Sequence, residues 1–510
     1  MFTFEKYTFN QESKIAKFTY IIEKKTTNWK NQIDKKIHNF SEELDFSQIN
    51  FDKKFLDWSK ESQKLLDNLL FFLHLILWSS YYKLTCEKWM RIKSWTLKKT
   101  QWHFFDKLYK RGLWEFFYEN EIDFRWLVNF PYNKFSDFKV VKNECKKDKI
   151  LVPFWWWKDS STLIAILEEE WLDFELFTLW DYKICNEVAE KFWKKIISVN
   201  RKLSENLSEL NKTWEFLNWH VPISSIYWAV ALFVAAAWNF NYIALANESS
   251  ANEANTVWNW MDINHQYTKS LEFEARFSEF IEENITNIKY FSFLRPYNEE
   301  KITEIFLEKC EKIFDIFSSC NKNFIQDKNL FNKNSEDERS IDDIKKTANK
   351  ENKKTKYTWP KLIKWERKSK EQKWCCNCPK CAFVFVMFSS QIWIEKTTKI
   401  FWKNLFLNSD LEKTFLELSG FWEKKPFECV WTFNEVQNAF KKILKNSTEK
   451  ENFSSDWKNI LNKIRNFLNP NQESEESLNL KEGENKTELS KVFWENLIPE
   501  KFLDILKKNF

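Results

Sequence analysis

The sequence almost lacks glycine. It has 3 glycines in 510 residues, where average usage of roughly 7% would give about 36. Tight turns, and loops that a ligand approaches closely, depend on a residue that tolerates positive φ and carries no Cβ. The chain is either a truly glycine-poor, Trp-rich protein or one in which another residue stands in the glycine positions, and composition drift does not readily explain losing nearly all glycine from turns. Charge of one sign is lacking too. The 79 basic and 74 acidic residues leave a net charge of +5, which is too balanced to indicate a nucleic-acid partner. Long apolar runs are absent, so no membrane span is expected. The nearest, ISSIYWAVALFVAAAW over 223–238, falls short of the roughly 20 residues of a spanning helix. Asn239, Asn241, Asn247 and Glu248 follow it, so a buried helix and then a strand over 242–246 are expected. The opening, MFTFEKYTFNQESKIAKF, has no apolar core. A secretory signal is therefore not expected, and the expected location is cytoplasmic, with reduced cysteines.

What is present in excess is tryptophan, at 29 residues. Added to the 3 glycines, that number comes close to the glycine content of an average chain. We read most of these tryptophans as glycine positions. Some bacteria read the UGA codon as glycine, and a table that reads it as tryptophan gives this composition. Abundant Lys, Asn, Phe and Ile fit an AT-rich genome.

One stretch organises the rest: LVPFWWWKDSSTL, 151–163. An apolar strand leads into a helix, and Trp155, Trp156 and Trp157 fill the turn between them. With glycine there it reads PFGGGKDSSTL, which resembles the PP-loop of the ATP pyrophosphatases. The physics suits a phosphate: glycines bring backbone N–H groups to the anion, and a helix N-terminus adds a favourable field. Lys158, Asp159 and Ser160 sit at the helix start, where Asp and Ser could touch phosphate and Mg²⁺ or serve as ordinary caps.

From 146 to 325 the pattern alternates. Strands are expected at 150–154, 174–179, 196–199 and 242–246, and helices at 161–170, 184–193 and 224–237. Such alternation predicts a doubly wound parallel sheet of the PP-loop (HUP-like) type, with ligands beyond the carboxyl ends of the strands. Thr178 and Asn247 lie at two of those ends. Residues 1–145 read as an N-terminal α+β region, in which His74 and His103 are expected in the core. A charged run over 326–373 is expected to be a disordered insertion, a Cys-cluster region follows over 374–446, and a low-complexity tail over 447–510 ends in a helix.

Further motifs are WHVPISS (219–225), NESSANEANTVWNWMDINHQYTKSLEFE (247–274), YFSFLRPYNE (290–299), WCCNCPKCAFVF (374–385) and KPFECVW (425–431). In this order, with Trp219 and Trp431 as glycine, they resemble the UDP-N-acetyl-α-D-muramoyl-L-alanyl-L-glutamate epimerase family over about residues 104 to 435. Departures are the tryptophans, Cys376 where glycine is expected, and the insertion. The resemblance implies an ATP- and Mg²⁺-dependent isomerase that inverts the terminal L-glutamate of a UDP-muramoyl dipeptide. It would adenylate the carboxylate, remove and return the α-proton, and hydrolyse the adenylate. Adenylation removes the carboxylate charge that otherwise makes the α-proton very hard to take. No obligate protein partner is inferred.

The candidates for proton transfer are His265, Lys269, Glu248 and His220, and those for gripping substrate are Gln266, Tyr267, Glu272 and Arg295. His265 and Lys269 could equally form a polar loop that only positions substrate. Arg295 could pair with a phosphate or carboxylate or form a structural ion pair. Cys375, Cys378 and Cys381 form C-x-x-C-x-x-C, and Cys320 could add a fourth thiolate. The set suits structural Zn²⁺, an iron–sulfur cluster, or metal-free packing. The other cysteines read as core residues. The competing functional classes are a PP-loop tRNA-modifying enzyme and an aromatic-rich nucleotide-binding or scaffold protein.

Overall fold

The structure is a computed structural model that describes residues 1–27, 33–136, 147–320, 373–421, 431–448, 458–468 and 496–509, apart from 54, 56, 58, 212, 214, 215, 218–220 and 286. The charged run over 326–372, most of the tail, Cys145, Cys429, Trp219 and His220 lie outside the described residues.

The chain opens with three strands, β1 (Phe2–Asn10), β2 (Ile15–Thr27) and β3 (Ile33–Asp45), paired antiparallel in sequence order. They are longer than the short strands suggested by Phe2, Phe4, Phe18 and Tyr20. Those four side chains are fully buried, against helix α1 (Lys60–Leu77) and neighbouring core. Short α2 (Ser79–Tyr82) and edge strand β4 (Met90–Ile92) follow, then α3 (Lys99–Gly112) and α4 (Trp114–Glu119). His74 is buried among Phe4, Tyr7, Phe18 and Tyr20 as expected. His103 is not in the core: it is exposed on α3, whose inner face is taken by Phe104, Phe105 and Leu108.

The alternating segment is observed as β5 (Lys147–Pro153), α5 (Lys158–Glu169), β6 (Phe174–Leu179), α6 (Lys183–Lys191), β7 (Ile196–Lys202), α7 (Glu205–Leu210), α8 (Ile223–Trp238) and β8 (Phe240–Leu245). A small hairpin, β9 (Thr256–Trp258) and β10 (Met261–Ile263), leads to α9 (Leu271–Asn284), β11 (Lys289–Ser292) and α10 (Glu299–Lys309). All neighbouring pairs among β11, β8, β5, β6 and β7 are parallel. Side chains alternate between faces. Along β5, Leu151 joins one apolar core and Ile150 with Val152 the other. The apolar run over 223–238 is α8, buried along nearly its whole length beneath the sheet. No helix among the described residues is long and apolar enough to cross a membrane.

The sheet does not stop near residue 145. β7 runs on to Lys202 and pairs antiparallel with β3, giving a nine-stranded order β11-β8-β5-β6-β7-β3-β2-β1-β4. The joint is sealed by a buried ion pair, Arg201 to Glu42 at 2.9 and 3.1 Å, with Arg201 also donating to Ser80 Oγ at 2.9 Å. The C-terminal region adds α11 (Pro379–Ile392), α12 (Ile394–Phe401), α13 (Glu412–Leu418), α14 (Phe433–Thr448), α15 (Lys458–Leu468) and α16 (Glu500–Lys508). These helices share the core that covers the α5 face. The last one docks as expected, with Phe502 against Tyr242 and Phe291 and Tyr297 donating to Leu506 O at 2.6 Å.

Candidate active site

The parallel strands change direction of growth between β5 and β8: β6 and β7 lie on one side, β11 on the other. At such a switch point the two strand ends splay apart and leave a crevice. A cavity of about 400 Å³ opens there. Pro153, Trp155, Trp157, Asp159 and Ser160 come from the β5–α5 side, and Ala246, Asn247 and Glu248 from the end of β8. His265, Gln266, Thr268 and Lys269 come from the loop after β10, and Glu115 from α4.

That loop is held by its own amides. Asn255 Oδ1 accepts from the His265 backbone N–H at 3.0 Å, Asn264 donates to Ala251 O at 2.9 Å, and its Oδ1 accepts from the Gln266 N–H at 2.7 Å. Ser270 then caps α9. His265 Nδ1 meets the Glu115 carboxylate. Arg295 ties the site together from behind. It donates to Glu248 O at 2.5 Å, Lys269 O at 2.7 Å and the Glu274 carboxylate at 2.7 Å, and it is fully buried. Of its two expected roles, then, the structure shows the ion pair.

Beneath the turn lies a buried charge cluster. Lys158 Nζ bridges Asp159 and Glu299. Burial opposes the Lys158 charge, yet these two carboxylates hold its amine above the usual lysine range. Burial likewise works against ionised Asp159, and Lys158 with Lys380 and Lys269 holds its carboxyl low. Glu299, the third carboxyl, is pushed up to about 8 by burial and by the charges of Asp159 and Glu248, against the pull of Lys158. Burial also raises Glu248, aided by Asp159, and lowers Lys269, with Glu248 opposing and Lys380 assisting. One oxygen of Glu248 and one of Glu299 have no partner among the described residues. An unpartnered buried carboxylate oxygen is costly, and together with the Asp159 carboxylate this donor chemistry fits a hard cation such as Mg²⁺.

The turn itself is crowded. Trp155 and Trp156 stack at 4.5 Å, and the indole N–H groups of Trp155 and Trp157 have no acceptor among the described residues. Lys269 and Lys380 place their amines 5.0 and 5.3 Å from the Trp157 ring. Two cations thus flank the side chain that a glycine would lack. Thr178 accepts from Tyr227 OH at 2.8 Å behind this wall and does not line the cavity. Tyr267 and Glu272 lie outside it as well, against Arg111, and Glu272 also pairs with Arg276. His220 lies outside the described residues.

Lys380 belongs to α11, whose start is a cysteine cluster. Cys320, Cys375, Cys378 and Cys381 are buried, with ligand atoms all within 4.8 Å of one another. Cys375 and Cys381 sulfurs lie 3.7 Å apart, near the ~3.8 Å edge of a tetrahedron of 2.3 Å zinc–sulfur bonds. The four residues therefore fit Zn²⁺. Cys378 also caps α11, accepting from the Cys381 N–H at 3.4 Å. Cys376 has φ 54, a conformation that suits the glycine expected there. Lys380, Glu299 and Glu115 were not singled out from the sequence. Lys380 and Glu299 lie within the motifs WCCNCPKCAFVF and YFSFLRPYNE without a role assigned to them there, and no motif marks Glu115.

No solved structure matches the chain. Curated proteins do. A UDP-N-acetyl-alpha-D-muramoyl-L-alanyl-L-glutamate epimerase of Xanthomonas oryzae pv. oryzae is 25% identical over 426 residues, 83% of this chain and 84% of that protein. Proteins of the same name from a Micromonospora species and from Salinispora tropica are each 24% identical, over 72% and 74% of this chain and 73% of each protein. The sequence model of the MurL C-terminal domain matches residues 363–475, which include three of the clustered cysteines. The MurL N-terminal domain model matches residues 1–293, more than half of the chain and nearly all of the cavity wall, and the chain belongs to the MurL family.

Proposed function

We propose that this protein inverts the terminal L-glutamate of UDP-N-acetylmuramoyl-L-alanyl-L-glutamate to D-glutamate, using ATP and Mg²⁺, in supply of peptidoglycan precursors. The observation that carries the reading is a convergence. A strand–turn–helix element, flanked by Lys269 and Lys380, opens onto the same cavity as His265 and Glu248. The first half can activate a carboxylate and the second can move a proton.

The substrate carboxylate attacks the α-phosphate of ATP, giving an acyl-adenylate and pyrophosphate. The N-terminal N–H groups of α5 and the two lysine amines bind the phosphates. Asp159, at the start of α5, would hold Mg²⁺, which would supply positive charge against the phosphates. The adenylated carbonyl carries no negative charge, so a base can take the α-proton. A second group returns a proton to the opposite face, and water then releases AMP. Glu248, raised by burial, moves toward the range where proton exchange is easy.

The reading includes glycine at 155–157. Three indoles at the helix N-terminus leave a phosphate no room, and glycine in each position restores it. The zinc at the cysteine cluster is structural in this account.

The test uses two forms of the chain. The form with glycine at 155–157 should convert the L-glutamyl substrate to its epimer with one AMP per turnover. In deuterated water the product should carry deuterium at the glutamate α-carbon. The form with tryptophan there should bind no ATP. Inversion without AMP would refute the adenylate, and ATP binding by the tryptophan form would refute the placement of the phosphates.

A further inference from the structure

The cavity wall contains one carboxylate that the scheme above does not use. Glu115 lies on α4, a six-residue helix set off from α3 at Leu113. Its residue is 6% exposed, and it lines the cavity beside His265. The two are 150 positions apart in the chain, and their side chains meet at His265 Nδ1.

We propose that Glu115 is a positioning residue for proton transfer, forming a dyad that makes His265 the base or acid on one face of the substrate α-carbon. An imidazole whose Nδ1–H is held by a carboxylate is fixed in tautomer and ring orientation, and works through Nε2. The carboxylate also stabilises the imidazolium that forms when Nε2 takes a proton. The backbone of His265 is pinned independently, through Asn255 and the Asn264 bonds on either side, so the ring has one fixed hinge and one fixed nitrogen. Glu248 enters the cavity from the β8 end, on a different wall from His265. Two proton carriers on separate walls are what inversion requires, because the proton must leave one face and return to the other.

α4 could bury an apolar side chain at this position with less desolvation. The nearby Arg111, one turn earlier, is committed to Glu272. The remaining titratable groups of the cavity are Asp159, Tyr227, Glu248 and Lys269, and Arg111 and Glu272 stand behind the loop.

The proposal rests on the epimerase reading but not on the adenylate, and the experiment separates the two. Glu115→Gln, His265→Asn and the double variant are made in the full active chain. AMP release and α-deuterium incorporation are measured separately, each against pH. Glu115→Gln should slow α-deuterium incorporation on the order of 10²-fold while AMP release stays within about threefold of the parent. The double variant should be no slower than His265→Asn alone, since Glu115 acts only through the ring. Equal loss of both readouts, no loss in either, or additive losses in the double variant would overturn the dyad. Deuterium incorporation without AMP would sink the adenylate and leave the dyad standing.

Discussion

At six positions outside the 155–157 turn the backbone shows what tryptophan is doing in this chain. Trp171, Trp180, Trp193, Trp260, Trp393 and Trp402 all have φ between 53 and 78. Trp171 and Trp193 follow α5 and α6 in the same way: the residue's own N–H bonds back three positions and the next N–H bonds back five. This is the Schellman ending, whose left-handed position belongs to glycine. After α13 the identical pair of bonds is made around Gly420, at φ 85. Trp171 and Trp193 are 94% and 91% exposed, so their indoles gain no packing that offsets the strain. Trp374, by contrast, is 2% exposed and lies 4.2 Å from the Phe401 ring, so its indole is packed. In a chain made with tryptophan, Trp171→Gly and Trp193→Gly should each raise stability by about 1–2 kcal/mol, measured by denaturant unfolding. Peptide mass spectrometry on protein from its own host should find glycine at both. Tryptophan there, with no gain on substitution, would defeat the glycine reading. The turn at 155–157 was legible because its strand, loop and helix are consecutive. Glu115, Lys380 and Glu299 were not, because a lone Glu or Lys carries no periodicity, and only the tertiary fold brings it to the site.

Among the elements, α11 joins two features that the sequence presents as unrelated. Its start holds Cys378 and Cys381, and Lys380 between them extends toward the 155–157 turn. The cysteine spacing revealed the metal-type cluster but not that its scaffold reaches the turn at 155–157. Glu435 of α14 strengthens the link, accepting from Ser250 Oγ at 2.6 Å after β8 and from the Glu299 N–H at 2.8 Å at the start of α10. Native protein should contain one zinc per chain. Removing it, by chelation or Cys378→Ser, should lower the melting temperature and weaken ATP binding by about tenfold or more, the cost of one lost charge-assisted contact. Lys380→Met should weaken ATP binding to a similar degree while the zinc remains. A metal-free protein with full stability and full ATP affinity would make these four packing cysteines. Binding unaffected by Lys380→Met would separate the cluster from the phosphates.

The whole molecule is organised by one sheet that serves two ends. The five parallel strands build the crevice, and the four N-terminal and edge strands extend the same sheet away from it. Sequence alternation revealed the parallel half because each helix repays its strand locally. It missed the joint, since β3 and β7 meet across about 160 residues and share only the register Glu43 to Lys202, Leu44 to Arg201 and Asp45 to Asn200. So few backbone pairs make a weak seam by themselves. The buried Arg201–Glu42 pair therefore carries its specificity, and the partners' burial makes it costly to break from one side. Glu42→Leu should cost about 3–5 kcal/mol, because it leaves a guanidinium buried without its carboxylate. The double variant Glu42→Leu with Arg201→Met should recover most of that loss, since no charge remains to desolvate. Chemical denaturation of the three variants reads the difference. If the joint makes one cooperative unit, the double variant should still unfold in a single transition, with the crevice lost at the same denaturant concentration as the N-terminal strands. Two separated transitions in the parent would show instead that the parallel half stands alone and that the N-terminal strands are an appendage to it.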